Sequence, residues 1–495
     1  MKKKEVVFVI MLFLAVLGLR LYFAFQSPHF SYDSYFHLRI IEQIAENGHL
    51  LTSDSLSYGG RTIIVLPLFY YILGLLGWVF PLPLVTKVVP HVFLSLLPVI
   101  IFFIVRKITT QIGAAFFSAV ISAFVPVLFA DTLYSLSPTM LVLPFVFLTL
   151  FLFLHIDEKS SVVFFVILVT ALSLLHPSSA LLITGLIGYL VVSRLEKFRL
   201  EKTELELIFF TTFVFLWLLF IFYKRAFLFH GLTLIQQNIP IEIVSRYFTH
   251  ISFTSALVQI GIIPLVGGIF TIYKYLFNMK NKPLYMYISL GISVTILLWF
   301  RLLQPTLGFV YLSVCLCILS GPAYVSVVRY FRKTRISSLS PFFIGIIWLL
   351  IVPIMMVPTI YLSEQKEGIS APVFDALLWL RENTSADSVV LGAPHEGHAI
   401  AAIAGRKNVM DDYFLLIGDA DERLVDVKRA FITPFATEAA KIFEKYDVDY
   451  VLVSRDTRAV YSISSLAYKD EECIREVYNK DGTTIFHTRC RITVV

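Results

Sequence analysis

The sequence predicts a polytopic α-helical membrane protein, with about eleven spans and one re-entrant or interfacial helix over residues 1–361 and a small external α/β domain over residues 362–495. Three observations predict it. Hydrophobic residues make up 57% of the 495 and charged residues 15%, with a mean hydropathy of +0.79. One soluble core cannot absorb that much apolar surface, whereas roughly twenty apolar residues cross a bilayer. Apolar runs of that order recur as far as residue 361, divided by short basic loops; beyond 362 acids, glycines and alternating patterns return. The net charge of +6 belongs to those loops, since Lys and Arg mark cytoplasmic connections in such chains. No nucleic-acid partner is expected.

The elements follow in order. "MKKKEVVFVIMLFLAVLGLRLYFAF" is a long apolar run with no small-residue cleavage pattern after it, so it reads as a retained first span near 5–25 with the N-terminus inside. Spans near 88–105, 114–130, 139–155, 161–176, 178–193, 207–223, 251–273, 284–300, 305–325 and 341–361 then put Arg106 with Lys107, the Lys159 turn and the basic loops 193–206, 273–282 and 329–335 on the cytoplasmic side. The stretch "TIIVLPLFYYILGLLGWVF", 62–80, would move every later basic loop across the membrane if it spanned. It is therefore placed as a re-entrant or interfacial helix with both ends outside, covered by its neighbours. Asp33, Asp131, the loop 224–250, Arg301 and the tail then share the external face. In the tail, "PVFDALLWLREN" and "ATEAAKIFEKY" have helical periods, while "DSVVLGA" and "DVDYVLVSR" alternate as strands. An oxidising compartment would permit a disulfide between Cys473 and Cys490; Cys315 and Cys317 lie within a span. No repeat, P-loop, dinucleotide fingerprint or HExxH is present.

Several polar residues stand where chemistry or plain structure would serve. Asp33, crowded by Tyr32, Tyr35, Phe36, His37 and Arg39 in "SYDSYFHLRIIEQIAENG", is a candidate catalytic carboxylate or the N-cap of the helix that follows. Asp131 in "FADTLYSLSP" is a second external acid or a loop cap. Arg301 is a phosphate-facing cation or a snorkelling anchor, and His176 with Pro177 is a site neighbour or a turn. Glu242, the single acid of the loop 224–250, is a gate or one polar position of an amphipathic helix. His395, Glu396 and His398 in "GAPHEGH" lack the spacing of a helical zinc pair and read as a turn near substrate; Asp411 and Asp412 are ambiguous in the same way.

The segment "YDSYFHLRIIEQIAENG" resembles the first external loop of the catalytic subunit of oligosaccharyltransferases, the archaeal ones especially. The likeness recurs in the re-entrant stretch, in "FADTLYSLSP" and in "VFDALLWLRENTSADSVVL" with "GHAIAAIAGRKNVMDDY". It implies the GT-C superfamily, glycosyltransferases that draw on lipid-linked sugars, and the cell membrane of a prokaryote. Transfer from a polyprenyl phosphate or diphosphate expels an anion at the membrane surface, so cationic stabilisation and a carboxylate are needed there. By the resemblance, Asp33 contacts metal and acceptor, Asp131 completes the metal shell, Arg301 faces the donor phosphate and Glu242 gates the acceptor. His37 and Arg39 meet phosphate or orient the loop, and Glu396 with His395 lies near the acceptor. Hard oxygen ligands imply Mg²⁺ or Mn²⁺. The expected partners are a polyprenyl-phosphate-linked donor, membrane lipid and an acceptor protein or glycolipid.

Two departures narrow this. Ala393, Pro394 and His395 stand where the family presents the WWD sequence that reads the acceptor sequon, and Leu133 stands where a second acid would follow Asp131. An acceptor other than an Asn sequon is therefore expected. The rival readings are a lipid or solute transporter, against which the chain shows no paired inverted halves with broken midplane helices, and a catalytically inactive relative that only binds partners.

Overall fold

The computed structural model describes residues 3–249, 251–334, 339–366, 368–470 and 472–489. Inside a bilayer only a helix satisfies its own backbone, and each expected span is helical. In chain order come α1 (Lys3–Ala24), α2 (Ser34–Asn47), a hairpin of β1 (Ser53–Asp54) and β2 (Arg61–Thr62), α3 (Leu68–Leu76), α4 (Leu82–Thr109), α5 (Ile112–Ala123) and α6 (Pro126–Leu133). Then follow α7 (Thr139–Phe153), α8 (Lys159–Ser173), α9 (Leu181–Leu195), α10 (Lys202–His230), α11 (Ile241–Thr249), α12 (Phe253–Ile260), α13 (Ile262–Tyr273), α14 (Lys282–Trp299), α15 (Pro305–Lys333) and α16 (Ser340–Glu364).

Among the described residues seven helices are long and apolar enough to cross a membrane, or nine if the bent pairs at α5–α6 (44°) and α12–α13 (93°) are each one span. The shorter apolar helices α7 and α8 occupy the two remaining stretches marked by the sequence. Each bend has a local cause. Val125 is held extended ahead of Pro126, as the residue before proline prefers. Gly261 takes φ +89° between α12 and α13, a conformation L side chains avoid.

Two boundaries differ from expectation. The stretch 62–80 does not form one helix: β2 takes its start, α3 has nine residues, about 14 Å long and too short to cross, and α4 already begins at Leu82 with proline in its first turn. The loop expected at 224–250 starts only at Gly231, because α10 continues through Lys224 and Arg225 to His230.

The tail contains a five-stranded sheet ordered β4-β3-β5-β7-β6, with β3 (Val389–Leu391), β4 (Lys407–Asn408), β5 (Val448–Val453), β6 (Ile474–Lys480) and β7 (Thr483–Thr488). β3 runs parallel to β4 and β5, and β7 antiparallel to β5 and β6. Side chains alternate across the sheet. Val390, Leu452 and Ile485 pack under α17 (Ala371–Asn383), while Leu391, Val451, Val453 and Phe486 pack under the helices 420–432 and 436–445. Each core also takes in a residue of the first loop, Tyr35 on one face and Tyr58 on the other. The β1–β2 hairpin docks beside β4, where the Asn408 amide donates to the Leu56 carbonyl (2.7 Å) and its side chain to Ser57 Oγ (3.0 Å). Composition changes at 362, but packing does not divide there. Cys473 is disulfide-bonded, Cys315 and Cys317 are free and buried, and Cys490 lies outside the described residues.

Candidate active site

The first two loops are zipped together. The Ser31 amide donates to the Tyr134 carbonyl (2.9 Å) and the Leu136 amide to Ser34 Oγ (2.9 Å), which brings Asp33 beside the segment that carries Asp131. Asp33 has helical φ and ψ and makes no side-chain cap bond to α2, so its carboxylate is free of the capping role that position allows. It keeps solvent-accessible surface yet is surrounded by protein at longer range, which describes a residue lining a cleft.

The opposite wall comes from the tail. The turn 392–398 packs so closely on 410–411 that a Cβ at Gly397 would lie 2.3 Å from the Met410 carbonyl; only glycine fits there. His398 is thereby set between two acids, Nε2 2.7 Å from Asp412 Oδ1 and Nδ1 3.3 Å from Asp411 Oδ2. Asp412 hydrogen-bonds Asp33 across the cleft. Behind this pair the charges alternate. Arg61 donates twice to Asp411 (2.7 and 2.6 Å), stands 3.6 Å from Asp54, and Asp54 takes both bonds of Arg39 (2.7 and 3.0 Å).

The electrostatics follow from this order. The Asp412 carboxylate, then burial, raise Asp33 to about 8, with a smaller contribution from Asp131. Burial alone would raise Asp412 too, but His398 outweighs it and holds Asp412 below the usual carboxylate range. Burial would likewise lower His398, yet Asp411 and Asp412 outweigh it and raise the imidazole. The two acids therefore titrate as a pair.

The other expected residues fall as follows. Asp131 is 3.4 Å from Lys366. Arg39 is committed to Asp54, and His37 is held neutral, pushed down to about 3 by burial first, with Nδ1 2.9 Å from the Tyr70 hydroxyl. These two support the loop; neither offers a free cation to a phosphate. His176 accepts from the Ser178 amide (3.2 Å) and caps a turn. Arg301 has φ +55°, an uncommon conformation for a residue other than glycine, and packs 5.4 Å over the Phe248 ring. Among the described residues no carboxylate pairs with it. Glu242 is paired with Lys428 (2.8 Å) and Arg246 (3.4 Å), which docks α11 on the tail and not on the Asp33 cluster. Tyr247, later on α11, lies within electrostatic reach of Asp412 and Asp33. Glu396 is fully buried and accepts from the Ala393 amide and the Thr457 hydroxyl (2.9 Å each), so it fixes the turn. His395 meets the Tyr32 ring edge-on at 5.1 Å. A polar cavity of about 470 Å³, lined by Tyr58, Arg61 and residues 416–419, lies behind Arg61 and away from Asp33.

No family model matches the chain, and no curated protein matches it. Solved structures do. The Archaeoglobus fulgidus oligosaccharyltransferase AglB, in complex with an inhibitory peptide and a dolichol-phosphate, aligns with a TM-score of 0.70 at 15% identity over 96% of this chain and 74% of its own. ArnT from Cupriavidus metallidurans, bound to undecaprenyl phosphate, aligns with a TM-score of 0.57 at 12% identity over 98% of each chain. The arabinofuranosyltransferase AftD from Mycobacteria aligns with a TM-score of 0.56 at 14% identity over 97% of this chain and 40% of its own. The chain therefore has the GT-C fold.

Proposed function

We propose that the protein is a membrane glycosyltransferase that moves a sugar or oligosaccharide from a polyprenyl phosphate or diphosphate carrier to an acceptor on the non-cytoplasmic face. The observation that carries the reading is the meeting of Asp33 and Asp412 in a cleft between the membrane helices and the tail, within a GT-C fold. The neighbours AglB and ArnT were solved with dolichol-phosphate and undecaprenyl phosphate, which supports a lipid-phosphate donor here.

The chemistry follows from the pair. The acceptor nucleophile is oriented by Asp33 and loses its proton to the carboxylates of the pair as its bond to the anomeric carbon forms. The bond from that carbon to the phosphate oxygen breaks, and its electrons leave with the lipid phosphate. Arg301, with which no carboxylate pairs among the described residues, is a cation suited to meet that anion. A divalent cation, when bound, would supply Lewis-acid stabilisation of the leaving phosphate. One ligand atom each of His398, Asp411 and Asp412 lies within 4.8 Å of the others, a group that could hold such an ion, whereas Asp131 is paired with Lys366 and Leu133 adds no ligand.

The test is to incubate purified protein with polyprenyl-phosphate and diphosphate sugars and follow lipid cleavage by mass spectrometry. Asp33→Asn is expected to lower turnover on the order of a hundredfold or more, as removal of a single electrostatic group does elsewhere. Undiminished turnover in that variant would reduce Asp33 to a loop residue.

A further inference from the structure

We propose that the open polar cavity behind Arg61 is a subsite for a neutral, hydroxyl-rich ligand, a sugar unit remote from the reacting carbon. The inference goes beyond the transferase reading and rests on it for the sugar's role, not for its binding.

At about 470 Å³ the cavity has the size of a small-molecule site. Two distant segments form it. The β1–β2 hairpin gives Ser53, Tyr58, Arg61 and Thr62, and the tail gives Leu416 and Asp419 among its lining. The walls are held before any ligand arrives. The Leu416 amide donates to His230 Nε2 (2.9 Å), the Asn238 side-chain amide to the Ile417 carbonyl (3.0 Å) and the Tyr58 hydroxyl to the Asp411 carbonyl. Tyr58 and Leu416 both keep left-handed backbone, φ +57° and +61°, which side chains of that bulk avoid and which recurs at ligand clamps.

The free polar atoms set the chemistry of the ligand. Arg61 commits its terminal nitrogens to Asp411 and the Tyr413 carbonyl, but its Nε is buried without a partner, and a buried donor left unmade is costly. Asp419 accepts from Arg423 Nε through one oxygen (2.7 Å). Among the described residues nothing bonds its other oxygen or the hydroxyls of Ser53 and Thr62. An N–H donor, a carboxylate acceptor and two hydroxyls that both give and accept match a row of sugar hydroxyls. Charge excludes the alternatives. The Arg61 guanidinium is already neutralised by Asp411 and Asp54, so an anion would meet Asp419 with no free cation beside it. A cation would meet Arg61 and find the Asp419 carboxylate shared with Arg423. Position then fixes which sugar is held. Beyond Arg61 come Asp411, His398, Asp412 and Asp33 in turn, so the unit in the cavity is an outer sugar of the donor or of a glycan acceptor, not the one whose bond is broken.

The experiment uses the full chain in nanodiscs and follows free trisaccharides by saturation-transfer NMR: maltotriose, mannotriose and triacetylchitotriose as neutral probes, trigalacturonate as the anion and chitotriose as the cation. At least one neutral trisaccharide should bind about tenfold or more tightly than either charged one, because a charge placed there is desolvated without a partner. Ser53→Trp, at an exposed strand position, should fill the cavity and abolish binding. Asp419→Asn and Thr62→Val, each of which removes one hydrogen-bonding group, should weaken it about threefold or more. A short-chain polyprenyl diphosphate trisaccharide at saturation displaces the free sugar if the cavity takes the outer units of the donor, and leaves it bound if the cavity takes the acceptor. Failure of every neutral trisaccharide to bind overturns the proposal, as does tighter binding of a charged one or binding untouched by Ser53→Trp. If Ser53→Trp fails to fold, the other two variants decide, because wild-type affinity in both also overturns it. Sugar held here in a chain that cleaves no lipid-linked sugar would remove the transferase reading and leave the cavity. Cleavage in a chain that holds no sugar here would do the reverse.

Discussion

Arg61 decides whether the tail stays in register with the first loop. Its side chain is 1% exposed and lies between Asp411 and Asp54, so Arg61→Met would leave two buried acids short of a partner. Removing one member of a buried ion pair costs about 3–5 kcal/mol, and the thermal midpoint in detergent should fall accordingly; an unchanged midpoint would mean that the acids find other partners. Acid should act on the same chain of charges. Burial would raise Asp54, but the bonds and charge of Arg39, with Arg61, outweigh it and lower its carboxyl to about 2. A depressed carboxyl stabilises the fold above the unfolded value near 4, and that contribution is lost as pH falls from there through 2. That depression corresponds to roughly 2.5 kcal/mol, so Asp54→Asn should flatten the acid limb of stability measured between pH 5 and pH 2. Asp33 could be singled out as a candidate because a carboxylate at a membrane exit is unusual. Arg61 was overlooked although it carried a signal: a lone cation on the face where basic residues are scarce needs a partner, and the adjacent acids 411–412 were available.

The spans were legible because hydropathy reports what each helix touches, whereas their ends depend on packing that hydropathy does not register. α10 runs past the expected boundary through Lys224 and Arg225, and α4 starts early because Pro83 suits a first turn. The hairpin β1–β2 was not foreseen, since strands of two residues carry no period and this pair forms against the tail. α11 gives the test at this scale. Glu242 and Lys428 are both about two-fifths exposed, so their bond contributes under about 1 kcal/mol and its loss should loosen the segment without unfolding the protein. Glu242→Lys is expected to speed amide hydrogen exchange over 231–249, and Lys428→Glu in the same chain should restore protection. Unaltered exchange in the single variant would show that apolar contacts alone hold α11 down.

Across the whole molecule the first loop packs against the tail, and that arrangement bears on the acceptor. Where a sequon enzyme would present a tryptophan-rich wall, Ala393 is fully buried with its amide bonded to Glu396, and Pro394 is buried too. Only His395 reaches the cleft side, edge-on to Tyr32. A site that selects a hydroxyl must hold partners for it, and sites built in that way reject analogues lacking the group by large factors; buried Ala and Pro side chains provide neither a donor nor an aromatic wall. The absence of the motif could be read from the sequence, but the inward direction of the turn could not, because it depends on Gly397 packing against Met410. Labelled Asn-X-Thr and Asn-X-Ala peptides are therefore expected to bind equally poorly when titrated by fluorescence anisotropy. A preference of about tenfold or more for the Thr peptide, of the kind a hydroxyl-reading pocket gives, would place an unrecognised sequon reader in the cleft and return the acceptor to protein asparagine.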